Sequence, residues 1–137
     1  MKGVSPLLSY STLLAVGFIA VALILFTVSD FADDIGKRFT KAQIDFVAES
    51  IKTDILKLYA LGSEGKILLS VPENIGNKKY MIELIQNELM VKINFKNEII
   101  EVKKQLKINA TLNGSSYPPA SIEMKRYPDN ISISLIA

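Results

Sequence analysis

The side chains whose spacing points most directly to chemistry are three asparagines. Asn109-Ala110-Thr111, Asn113-Gly114-Ser115 and Asn130-Ile131-Ser132 are Asn-X-Ser/Thr triplets, the acceptor pattern for oligosaccharide transfer to an amide nitrogen. Used in that way, they imply an exported surface. Otherwise they are ordinary polar residues of turns and strand edges, and both readings stand at this level. Asn113 and Asn130 fall in turn-rich stretches, and Asn109 falls on the polar face of an alternating one. The chemistry would be done to the chain, not by it.

The tools of catalysis are sparse. The chain has no His, Cys or Trp, which removes the commonest general base, thiolate ligands and any disulfide framework. Glu73, Glu83, Glu98, Glu101 and Asp129 are scattered singly, without the spacing of an acid/base pair or a metal loop. No enzyme activity, cofactor or metal is expected. Sixteen Lys+Arg against 14 Asp+Glu give a net charge of +2. The densest basic cluster, Lys103, Lys104 and Lys107, sits on an alternating stretch, so no nucleic-acid partner is expected. Asp33-Asp34 beside Lys37-Arg38 is the one tight charge cluster near the membrane boundary. It could pair between subunits or simply be a solvated helix face. Asp33–Lys37 and Asp34–Arg38 support a helix at i,i+4, whereas Asp45–Glu49 slightly opposes it.

Val4–Ser29 contains 26 residues without one charged side chain. A helix needs about 20 apolar residues to cross a hydrocarbon layer of roughly 30 Å. Ala20-Val21-Ala22 mimics a secretory cleavage site, but Leu23-Ile24-Leu25-Phe26 carries the apolar run past it, which disfavours a removable signal of that kind. A plain transmembrane anchor fits the length. Ser5 as N-cap and Pro6 in the first turn predict a start at about Pro6. Beyond Ser29 the helix continues: Phe31, Ile35, Phe39, Phe46, Ile51, Ile55 and Leu58 recur at helical spacing with charges between them. Gly62 is the expected C-cap. From Pro6 to Leu61 such a helix would run 56 residues, about 84 Å at 1.5 Å per residue.

From Ser63 the apolar period falls to two. Lys66–Val71 reads as a strand ended by the turn cluster Pro72–Asn77. Tyr80–Ile85, Leu89–Phe95, Glu98–Lys103, Leu106–Leu112, a stretch around Ile122 and Met124, and Ile131–Leu135 read as further strands. Lys96-Asn97 fits a tight hairpin, and Asn113–Pro119 reads as a loop. Six or seven short strands with hairpin-length links predict an antiparallel sheet curled into a small sandwich or barrel. The fold class is α+β, a long N-terminal helix with a C-terminal β head. A head of about 75 residues is small for independent stability. Packing the stripe Phe31–Leu58 against it would supply the missing core.

The start of the chain adds a resemblance. Lys2-Gly3 followed by Val4-Ser5-Pro6-Leu7-Leu8, at the head of a long apolar helix, resembles the N-terminus of archaeal type IV pilins. The likeness covers the first thirty residues closely and the layout of the rest loosely. It implies a short class III signal peptide, residues 1–3, removed by a prepilin peptidase between Gly3 and Val4. It implies a membrane-inserted precursor with its head outside, which a pilus assembly platform then builds into a helical homopolymer at the cell surface, in adhesion or cell contact. Residues 4–29 would form the membrane and filament-core helix, 30–62 its amphipathic continuation and 63–137 the head. The core-helix contacts would come from Leu7, Leu8, Leu13, Leu14, Val16, Phe18, Ile19, Leu23, Ile24 and Phe26, with Ala15, Gly17, Ala20 and Ala22 allowing close helix approach. The alternative is a single-pass membrane protein with an extracytoplasmic β domain, a minor pilin-like or archaellum stator-like component.

Overall fold

The computed structural model describes residues 4–137. Among these described residues the fold is α+β: one N-terminal helix, α1 (Val4–Leu61), followed by eight strands. These are β1 (Gly65–Leu68), β2 (Tyr80–Ile85), β3 (Glu88–Phe95), β4 (Glu98–Gln105), β5 (Thr111–Asn113), β6 (Ser115–Ser116), β7 (Ser121–Tyr127) and β8 (Asn130–Ile136). The chain divides into two compact units, with the boundary between Arg38 and Phe39.

Helix α1 begins at Val4, two residues ahead of the expected start, so Pro6 lies inside the first turn. Its missing N–H is harmless there, because that donor has no partner in the ladder. The helix stops where the sequence says it should. Gly62 takes a left-handed φ of 67° and its N–H donates to the Tyr59 carbonyl at 3.1 Å, closing the last turn.

The head, within the second unit, consists of two four-stranded sheets, ordered β1-β7-β8-β5 and β4-β3-β2-β6. Alternation decides which side chains face inward. Tyr80, Ile82 and Leu84 of β2 and Leu89, Val91 and Ile93 of β3 are buried with their neighbours turned outward, as period two requires. In the β3–β4 hairpin Lys96 and Asn97 both take positive φ, 45° and 66°, the backbone a tight type I′ link needs. Chain segments from both sheets and from α1 meet in one core.

Three expectations are corrected here. The sheets are not wholly antiparallel, because β5 lies parallel to β8, with Leu112 opposite Ile133. Leu106–Leu112 is not one strand. Leu106 and Ile108 are buried, but only Thr111–Asn113 joins a ladder. Leu106 instead donates its N–H to the Asn87 carbonyl at 2.7 Å. The loop Asn113–Pro119 also holds a strand, β6. Gly114 separates β5 from β6 and so carries the chain from one sheet to the other. Its φ is 113°, and a Cβ there would lie 2.6 Å from the Leu135 carbonyl oxygen. Only glycine fits.

The helical stripe is corrected too. The residues of α1 that enter the core are Ile44, Val47, Ala48, Ile51, Ile55 and Leu58. Phe39 and Phe46 are 63% and 75% exposed. At 100° per residue, Phe46 lies about 200° from Ile44 and about 20° from Phe39. The phenylalanines therefore occupy the opposite face, and what reads as one stripe is two. Phe31 and Ile35, in the first unit, are also exposed. Ile44 and Val47, at helical spacing from Ile51, extend the buried stripe upstream instead.

Candidate functional site

The first unit carries the feature that most needs explanation. Leu7, Leu8, Leu13, Leu14, Val16, Phe18, Ile19, Leu23, Ile24 and Phe26 are each more than half exposed, on one continuous helix. Water does not tolerate such a surface. Covering each of these side chains is worth about 1.5–3 kcal/mol. The helix is long and apolar enough to cross a membrane, and in the form of a helix its backbone polar groups are satisfied internally.

Two threonine hydroxyls in this stretch are satisfied in the same way. Thr12 Oγ1 donates to the Leu8 carbonyl at 2.7 Å. Thr27 Oγ1 lies 3.0 Å from the Leu23 carbonyl and 2.9 Å from that of Ile24. Both threonines can therefore enter an apolar medium without leaving an unpaired donor. At Gly17 an added Cβ would meet nothing within 4 Å, which leaves a flat place where another backbone can approach. This arrangement suits lipid or another helix. Of the proposed processing junction, Gly3 lies outside the described residues, and Val4 is the first residue of α1.

In the second unit the three sequon asparagines are all exposed. Asn109 lies in a bend ahead of β5, not on a strand face as its alternation suggests. Asn113 ends β5, and Asn130 opens β8. Because β5 and β8 are paired in parallel, Thr111 of the first triplet stands opposite Ser132 of the third. Asn130 Nδ2 donates to Thr111 Oγ1 at 2.6 Å. The pairing thus gathers the triplets at the β5 edge of one sheet. No local signal in the sequence foretold this, since β5 is only three residues long.

The charge pattern is partly as read. Arg38 Nε lies 3.0 Å from Asp34 Oδ2. Asp45 and Glu49, which oppose each other in sequence, both meet Lys104 Nζ of β4, at 2.9 and 3.0 Å. Those two hydrogen bonds, the one to Asp45 first, hold the Lys104 ammonium above its ordinary range. Similarly, Glu83 accepts from Lys92 at 2.9 Å across β2 and β3 and raises that ammonium. These are fastenings within the second unit. Among the described residues no group of three or more acidic, Cys or His side chains could hold a metal ion. No protein family, curated protein or solved structure matches the chain.

Proposed function

We propose that this chain is the structural subunit of an archaeal type IV pilus-like surface filament. The observation that carries the reading is the exposed charge-free helix of residues 5–29, continuous in sequence with a helical segment that buries Ile44–Leu58 in a β head. The Gly3-Val4-Ser5-Pro6 start supports it. The helix first lies in the membrane, with the head outside. A prepilin peptidase removes residues 1–3, and the assembly platform then transfers the helix from lipid to a bundle of its own kind. A surface apolar on all sides is covered in either setting. Repeated contacts that do not close into a ring generate a filament, and the heads coat it, in adhesion or cell contact.

The sequons belong to the same reading. Asn109, Asn113 and Asn130 are sugar acceptors on the exported head, and glycans there would shield the β5 edge from strand addition. Mass spectrometry of native protein that finds all three unmodified removes this part alone.

Gly3→Val tests the assembly reading. The larger side chain should block the peptidase, so that full-length precursor accumulates in the membrane and filaments disappear. Normal filaments from that variant would refute the cleavage assignment.

A further inference from the structure

The apolar face of α1 that the head leaves open borders a built cleft. Phe39 and Phe46 are exposed on this face. A cleft of about 380 Å³ lies beside Phe46, lined by Ala42 and Val47 of the helix and by Pro72, Asn74 and Ile75 of the β1–β2 loop. Its lining side chains are apolar or uncharged, which suits an apolar occupant. The far wall is held in place. The Tyr80 hydroxyl donates to the Pro72 carbonyl. Ile75 N donates to Lys78 O at 3.0 Å, and Lys78 N returns the bond to Ile75 O at 3.2 Å, around a turn in which Gly76 has φ 62°. A wall fixed before binding costs little to order.

Lipid cannot be the occupant if it also covers residues 4–29. Five charged residues, Asp30, Asp33, Asp34, Lys37 and Arg38, stand between Ser29 and Phe39 in the sequence, and a hydrocarbon layer does not admit such a series. The cover is therefore protein. Each copy of this chain supplies a convex, charge-free helix that needs covering and a concave, uncharged cleft that can cover it. We propose that the cleft receives a large apolar side chain from the Leu7–Phe26 stretch of a second copy, packed against Phe46 and Ile75 with Phe39 alongside. This rests on the assembly reading and names one contact of it. Donor helix and acceptor cleft are different parts of the chain, so the contact is heterologous and repeats without closing.

The test uses the whole chain expressed in its native cells, half of it ¹⁵N-labelled so that links between copies are identified by mass. Phe46→p-benzoylphenylalanine is irradiated in parallel with Phe18→p-benzoylphenylalanine. The expected result is that the probe at position 46 links to a peptide within residues 4–29 of another copy. If the probe at 18 links copies and the probe at 46 does not, the cleft assignment fails and assembly stands. If neither probe links copies, both fail. Phe46→Glu should lower filament yield at least tenfold while leaving the head's thermal midpoint unchanged, because Phe46 lies outside the core. An undiminished yield would overturn the contact.

Discussion

Lys104 Nζ lies 2.9 Å from Asp45 Oδ1, which ties β4 to the helix that packs on it. The same ammonium reaches Glu49 at 3.0 Å. Two carboxylates one helical turn apart repel when alone, and the lysine converts them into a clamp. Lys104→Met should cost roughly 0.5–1 kcal/mol, the scale of a half-exposed ion-pair network, and the difference should shrink in high salt. Because the ammonium is held above its usual 10.5, its contribution is full below that pH. It fades as pH rises through the folded value. Denaturant midpoints of the two proteins at low and high salt measure it, and a salt-independent difference would contradict the clamp.

The two faces of α1 should respond differently to truncation. Ile51 is fully buried, so Ile51→Ala should cost about 2–5 kcal/mol. Phe46 is exposed, and Phe46→Ala should change head stability by no more than about 0.5 kcal/mol. Urea unfolding followed by circular dichroism separates them. Equal losses would mean that Phe46 belongs to the core.

Tyr80 gives the head an alkaline limit. Its burial pushes the phenol up from 10.0 to about 12, and it donates to the Pro72 carbonyl. Between those values the unfolded chain gives up a proton that the folded chain keeps, so stability falls as pH rises from 10 towards 12. Tyr80→Phe should cost about 1 kcal/mol at neutral pH through the lost hydrogen bond. It should also remove that part of the alkaline loss. Midpoints measured from pH 9 to 12 should therefore converge, and parallel curves would exclude Tyr80 as the titrating group.

How much of this was legible depended on the length of the signal. Val4–Ser29 and the strands Tyr80–Ile85 and Leu89–Phe95 are long enough for their periods to be read. The Lys96-Asn97 hairpin and the Gly62 cap announce themselves through backbone requirements. β5 and β6, with three and two residues, are too short to show a period, and the parallel β5–β8 pairing is a tertiary outcome. Leu106 and Ile108 show that alternation reports burial even where no ladder forms. The helical stripe misled because Phe39, Phe46 and Ile51 are all large and apolar. The five-residue step from Phe46 to Ile51, about 140° of rotation, carried the warning. Of the functional features, the apolar helix and sequons were visible in sequence. The Lys104 clamp and the Phe46 cleft needed residues brought together from far apart.

The most direct test of the assembly reading is the N-terminal sequence of protein sheared from the cell surface as filaments. Abundant filaments whose subunits begin at Val4 are expected. Protein found only in the membrane fraction, with Met1 retained, would contradict it and favour a single-pass anchored β domain.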